Sequence, residues 1–222
     1  MKEVTGLLVM DVDGTLIQQE GIDLLAQEAS VGQKVAEITA QAMNGELDFE
    51  ASLQARVALL KGLEVSIFPK IIEQMDVTPG AKTLITELHQ RGYKVGLVSG
   101  GFHEVIDPIA RSLGIDLVRA NRLQAFDGRL TGKVLGEIVT PERKKDSLLT
   151  WVRENHIPRS QTIAMGDGAN DLPMIETAGI GIAFMAKPIV AERAPYRIET
   201  RDLSLVLEIL DQHRKETACI SY

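Results

Sequence analysis

The sequence predicts an α/β protein with a doubly wound parallel sheet, a helical insertion after the first strand and a β-hairpin flap. Three observations carry this. Short apolar runs alternate with stretches of helical periodicity along most of the chain, as in sheets whose connections cross over through helices. Those runs are continuously apolar rather than alternating, as expected for strands covered on both faces. One long stretch, residues 17–75, breaks the alternation and reads as helical almost throughout.

The elements follow in chain order. VTGLLVM (4–10) is the first buried strand, and it ends in Asp11-Val12-Asp13-Gly14-Thr15. The stretches EGIDLLAQEA, GQKVAEITAQAMNG, FEASLQARVALLKGL and SIFPKIIEQM then give the helical insertion. Placed there, it would sit over the strand ends as a lid. Helix 80–91 leads to strand KVGLVSG (94–100) and helix 102–113. NRLQAFDGRLTGKVLGE (121–137) holds an Asp-Gly turn between strand-like residues, a hairpin signal. Helix 141–155, strand QTIAMG (161–166), helix 171–178, strand GIGIAF (179–184) and helix 202–213 complete the pattern. Three strands end in polar loops: Asp-Val-Asp-Gly-Thr, Ser99-Gly100-Gly101 and GDGAND (166–171). Ligands of doubly wound sheets bind beyond the carboxyl ends of the strands.

Bulk properties narrow the partners. The 222 residues allow one large domain, or a core with a smaller one appended. A net charge of −7 and a pI near 5.2 argue against a nucleic-acid or anionic-membrane surface. Cys219 is the only cysteine, so no disulfide framework exists. His89, His103, His156 and His213 are too scattered for a histidine metal motif. The N-terminal apolar run is short for a signal peptide, and no apolar stretch reaches the roughly 18 residues of a membrane span. The terminal CISY is a poor prenylation box. A soluble, cytoplasmic protein with a small-molecule partner is expected, as monomer or homodimer.

A turn does not need two aspartates two residues apart at a strand end. Asp11 and Asp13 can address one small volume, where they repel unless a cation or a proton intervenes. With Mg²⁺, one carboxylate can attack phosphorus while the other moves a proton. Asp167 and Asp171 add hard oxygen ligands of the kind Mg²⁺ takes. GDGAND by itself is also compatible with a calcium loop or a plain turn. It lacks the glycine and the distant Glu of an EF-hand, and Asp171 stands where a dinucleotide fingerprint has its third glycine.

Together these motifs resemble those of the haloacid-dehalogenase-like (HAD) phosphohydrolases: DVDGT (11–15), Ser99 after a strand, Lys144 near a helix start, and GDGAND (166–171). Within that superfamily the chain is similar to phosphoserine phosphatases through NGELDFEASLQARVALLKGL (44–63), VSGGFHEVI (98–106), ANRLQAFDGRLTG (120–132), GDGANDLPM (166–174) and AKPIVAERA (186–194). The resemblance runs nearly end to end. It implies a Rossmann-like core of residues 1–16 and 76–222 and a small helical cap of residues 17–75.

The resemblance also implies roles. Asp11 would be the nucleophile and form an aspartyl-phosphate; Asp13 would act as acid toward the leaving serine oxygen, then as base toward water. Thr15, Ser99 and Gly100, with the neighbouring Gly101 N–H, would hold phosphate oxygens, and Lys144 would neutralise phosphate charge. Pattern alone does not separate Lys144 from Lys145. Mg²⁺ would be held by Asp11, the backbone carbonyl of Asp13, and Asp167, supported by Asp171. Arg56 would clamp the substrate carboxylate and Glu20 its ammonium, with Met43 and Phe49 lining the pocket and Asn170 near the substrate. Bland readings stand beside these: a helix-start glutamate for Glu20, a snorkelling arginine for Arg56, a helix N-cap for Asp171.

Gly14 departs from the serine common among phosphoserine phosphatases, which puts the breadth of substrate choice in question. A related phosphatase, or a phosphotransferase passing the group to an alcohol such as homoserine, would share the intermediate. A phospho-accepting switch module combines similar residues but is much shorter and has no helical lid.

Overall fold

A computed structural model describes residues 4–43 and 46–220, the side chains of Met43 and of residues 217–220 excepted. A parallel six-stranded sheet forms the centre. Its strands are β1 (Gly6–Met10), β2 (Tyr93–Phe102), β3 (Leu117–Asn121), β6 (Thr162–Gly166), β7 (Ile180–Phe184) and β8 (Tyr196–Ile198), in the order β3-β2-β1-β6-β7-β8. The chain therefore winds outward from β1 in both directions, which makes the rim around β1 the topological switch point. Met10 lies opposite Leu97 of β2 and Met165 of β6. That register brings Asp11, Ser99 and Asp167 to the same rim.

Both faces of the sheet are covered, and β1 shows how. Leu8 and Met10 join one core with Leu84 and Leu88 of α5 (Ala81–Gln90) and Val105 and Ile109 of α6 (His103–Leu113). Leu7 and Val9 join a second core with Leu148 and Trp151 of α7 (Pro141–Glu154) and Met174 of α8 (Leu172–Thr177). Successive side chains enter opposite cores, which is why the strand reads as an unbroken apolar run. Gly96 of β2 lets Trp151 lie on the sheet: a Cβ there would fall 2.6 Å from the indole ring.

Between β1 and α5 lie α1 (Gly21–Glu28), α2 (Gly32–Met43), α3 (Phe49–Ala58) and α4 (Phe68–Glu73), preceded by a 3₁₀ turn at Val65–Ile67. Their apolar faces, including Leu25, Val35, Leu53 and Ile71, pack into the first core. Asp48 caps α3 by accepting from the Ala51 N–H at 2.7 Å.

The expected hairpin is β4 (Leu123–Phe126) and β5 (Arg129–Val134). Asp127 and Gly128 both have positive φ, as a two-residue type I′ turn requires. The segment after α3 pairs with it. Gly62 N–H donates to Leu130 O, Leu130 N–H to Leu63 O, and Val65 N–H to Gly128 O, all at 2.8–2.9 Å. Arg129 closes the seam on Gly62 O and Glu64.

Five elements depart from the sequence expectation. The edge strands β3 and β8 were not anticipated, nor was α9 (Pro188–Arg193). Strand β2 also runs past its expected end at Gly100 to Phe102, the first residue of the expected helix 102–113. A last helix, α10 (Val206–Ile220), starts later and runs further than 202–213. Among the described residues no helix is long and apolar enough to cross a membrane.

Candidate active site

A cavity of about 480 Å³ opens between the rim of the sheet and the inserted helices. Asp11, Asp13, Gly100, Asp167 and Asn170 line its floor; Glu20, Phe49 and Arg56 line its wall.

Asp11 follows β1 directly and is fixed by its neighbours. Its Oδ1 accepts from its own chain at Val12 N–H (2.7 Å) and from Lys144 Nζ (2.8 Å). Among the described residues, Oδ2 takes no hydrogen bond. Asp13 is turned a different way. Its Oδ1 accepts from Gly21 N–H at the start of α1 (2.8 Å), and its Oδ2 from Ser99 Oγ (3.2 Å). Thus the two carboxylates face one volume but are held by separate partners. Ser99 Oγ also accepts from the Gly101 N–H (2.8 Å), so that N–H is already committed within the strand. The close approach depends on glycine: a Cβ on Gly101 would lie 2.7 Å from Asp13 Oδ2.

Lys144 is fully buried in the first turn of α7, whose start is set by Pro141 and by the Thr140 hydroxyl accepting from Arg143 N–H. Besides Asp11 it meets Asp171 Oδ1 at 2.7 Å. Lys145 is exposed, so the structure separates the two lysines that pattern left joined. Asp171 sits at the N-cap position of α8 but makes no cap hydrogen bond. Its Oδ2 instead accepts from Gly168 N–H at 3.1 Å. Gly166 leaves room for it, since a Cβ there would fall 2.3 Å from its carboxyl group.

The charge balance of this cluster is uneven. Burial, offset by the Gly21 N–H and reinforced by the Asp11 charge, pushes Asp13 up to about 6. Burial and Asp11 likewise push Asp171 up, to about 7, against the pull of Lys144. Asp167 is raised by the same two causes. Burial pulls Lys144 the other way, but Asp11 and Asp171 outweigh it and keep the ammonium charged. Asp11, Asp167 and Asp171 bring ligand oxygens within 4.8 Å of one another. One buried ammonium among these carboxylates leaves a negative excess, and an all-oxygen donor set of this kind fits a hard divalent cation. Asp13 is not part of that carboxylate cluster.

The wall carries the remaining candidates. Glu20 is the N-cap residue of α1 and makes no cap hydrogen bond, so the helix-start reading does not account for its side chain. Its side chain is accessible where it lines the cavity, yet it is walled by protein and acted on by Asp13, Asp11 and Asp167. Those two causes, in that order, push it up to about 8. Arg56 is half-buried, and its Nε donates to Ser52 O at 3.3 Å. Burial lowers its pKa while Asp23 and Glu20 hold it up. Phe49 packs over Gly100, whose Cβ would meet its ring at 3.3 Å. Asn170 reaches the cavity from the loop after β6.

Of the expected residues with described side chains, Thr15, Ser99, Lys144 and Asp171 do not line the cavity; the last three bond to the acids of the floor or to one another. The Thr15 hydroxyl is buried without a hydrogen-bond partner; the Thr15 carbonyl is taken by Thr78 Oγ1. Met43 ends α2, but its side chain lies outside the described residues. Gly14 has φ +73°, and a Cβ there would lie 3.0 Å from the Asp167 carboxyl group. Glycine thus suits both the turn and the approach of Asp167.

Sequence reading missed Asp23, Ser52 and Lys187 on the same cavity. Asp23 carries a usable signal, one helical turn after Glu20 and on its face. Ser52 stands four residues before Arg56, a weaker version of the same signal. Lys187 falls in AKPIVAERA (186–194), a stretch that carries the family resemblance, but nothing in that stretch gave it a role.

Comparison with known proteins agrees with this geometry. The family model described as haloacid dehalogenase-like hydrolase matches residues 8–176. A phosphoserine phosphatase of Streptococcus thermophilus is 63% identical over 212 residues, spanning 96% of this chain and 99% of that protein. One from Methanocaldococcus jannaschii is 44% identical, spanning 95% of this chain and all of that protein. A solved phospho-aspartyl intermediate analogue of phosphoserine phosphatase superposes with a TM-score of 0.86 at 44% identity, covering 92% of this chain and 98% of that one. A substrate-bound phosphoserine phosphatase complex superposes at 0.87 and 43% identity, covering 94% and 99%.

Proposed function

The chain belongs to the haloacid dehalogenase-like hydrolases, and from that premise we propose that it is a Mg²⁺-dependent phosphoserine phosphatase, cleaving O-phospho-L-serine to L-serine and phosphate. One observation carries the reading. A single cavity joins a phosphoryl-transfer floor, Asp11 and Asp13, to a wall bearing a guanidinium and a carboxyl group, Arg56 and Glu20. A zwitterionic phosphomonoester asks for that set.

Asp11 Oδ2, which takes no hydrogen bond among the described residues, attacks phosphorus as the bond to the serine oxygen breaks. Asp13, raised to about 6, supplies the proton that the leaving oxygen needs. The same carboxylate, now deprotonated, takes a proton from the water that attacks the aspartyl-phosphate. Phosphate leaves, and Asp11 returns to a carboxylate. Lys144 orients Asp11 and places a fixed positive charge beside the developing phosphate charge. Mg²⁺ held by Asp11, Asp167 and Asp171 would supply the further charge neutralisation that a transferring phosphoryl group requires. Gly100 lines the floor where phosphate oxygens would lie; Ser99 and Thr15 are fully buried and do not line the cavity, and the Ser99 hydroxyl instead holds Asp13.

Residues 17–75 serve as a cap that closes over the substrate, with the hairpin attached to it by the seam at Gly62–Val65. Closure would exclude water until the serine has left. The substrate is a small molecule, and a cytoplasmic location fits it.

The test is phosphate release from phospho-L-serine, phosphoethanolamine and p-nitrophenyl phosphate, each with Mg²⁺ or EDTA. Mg²⁺-dependent release with a strong preference for phosphoserine is expected. Equal activity on all three would keep the catalytic floor and remove the assignment of Arg56 and Glu20.

A further inference from the structure

Ser52 is an unexplained residue on the cavity wall. It is 2% exposed, it lines the cavity, and its hydroxyl has no hydrogen-bond partner. A buried hydroxyl without a partner costs stability, and the expense calls for a use. Its surroundings supply one. Ser52 and Arg56 are four residues apart on α3 and share the cavity face. Arg56 Nε is tied to the Ser52 carbonyl. Among the described residues, its two terminal nitrogens make no hydrogen bond or ion pair, although Asp23 and Glu20 lie within electrostatic range. Uncommitted guanidinium N–H groups and an uncommitted hydroxyl therefore stand side by side. All of them are donors, and a planar anion with several lone pairs is what they can jointly satisfy.

We infer that Ser52 is a specificity residue, donating its hydroxyl to the substrate carboxylate that Arg56 clamps. The inference rests on the phosphoserine reading above and adds a contact to it. Rotation about χ1 moves the hydroxyl among staggered positions, so it can turn to the ligand without backbone movement. The phosphate floor is built by the strand ends and not by α3. Ser52 thus acts on binding of the amino-acid end and not on the chemical step.

The structure predicts an unusual signature for Ser52→Ala. Removing a hydroxyl with no partner, in a helix where alanine is favoured, leaves the melting temperature unchanged or raises it. Losing a hydrogen bond to a charged ligand raises KM for phosphoserine about tenfold, with kcat within about twofold. Phosphoethanolamine keeps the phosphate and ammonium and lacks the carboxylate. The ratio of kcat/KM for phosphoserine over phosphoethanolamine should accordingly fall about tenfold, carried by KM. An unchanged ratio overturns the inference. So does a melting temperature lower by several degrees, since that would give the hydroxyl a structural duty. If the unsubstituted protein itself shows no preference for phosphoserine, the functional reading fails first, and the failure is visible before the variant is made.

Discussion

Replacing Lys144 with methionine tests the electrostatic construction of the floor. The ammonium is completely buried and sits 2.8 Å from Asp11 and 2.7 Å from Asp171, both buried carboxylates. Methionine keeps much of the length and apolar stem but leaves those acids without their cation. Removing one partner of a buried pair costs about 3–5 kcal/mol, which at this chain length lowers Tm by roughly 10 °C. The loss should depend on pH. Burial and Asp11 hold Asp171 up at about 7 even with Lys144 present, and the lysine's removal drives it higher. A folded-state pKa above the unfolded value favours the folded state while the group is protonated, and that advantage is lost as pH rises through the folded pKa. The deficit of the variant is therefore largest near pH 8 and shrinks toward pH 5. Urea unfolding in EDTA at the two pH values measures it. A variant within about 1 kcal/mol of the parent at pH 8, or a deficit that grows on acidification, would refute the reasoning.

Other perturbations follow from the same geometry. Arg56→Ala should raise KM for phosphoserine about 10- to 100-fold and affect p-nitrophenyl phosphate far less; equal losses on both would remove the clamp. Gly101→Ala places a methyl group 2.7 Å from Asp13 Oδ2, and the displaced acid should lower kcat about 100-fold; a parent-like kcat would show that Asp13 needs no such positioning. In EDTA the protein should gain stability as pH falls from about 8 to about 5, because Glu20, Asp171 and Asp13 have folded pKa values raised to about 8, 7 and 6. Added Mg²⁺ should restore stability at the upper end, and a flat profile with no metal response would contradict the negative excess. Gly96→Ala drives a Cβ to 2.6 Å from Trp151, and urea titration should show a loss of about 1–3 kcal/mol; no loss would mean that α7 shifts freely on the sheet.

Legibility in the sequence followed burial. β1, β6 and β7 are buried throughout and show as continuous apolar runs. β3, LVRAN, is an edge strand that carries Arg119 half-exposed, and β8 has three residues with Arg197 exposed. Neither has the apolar density that marked the central strands. On the floor, acids in glycine-rich loops at strand ends could be read because few structural duties need them. The split of work between Asp11 and Asp13 could not, since it rests on Gly21 and Ser99 reaching one and Lys144 the other. Lys144 differs from Lys145 only by the face of α7 on which it lies. Ser52 reads as an ordinary helix serine until its lack of a hydrogen-bond partner is known.

The central claim is that phosphate passes from phosphoserine through Asp11. The direct measurement is an acid quench during turnover of phosphoserine labelled in the phosphoryl group, followed by peptide mapping. Label on the peptide carrying Asp11, absent from Asp11→Asn and dependent on Mg²⁺, is the predicted result. Released phosphate with no label on Asp11, or label on another residue, would contradict the account.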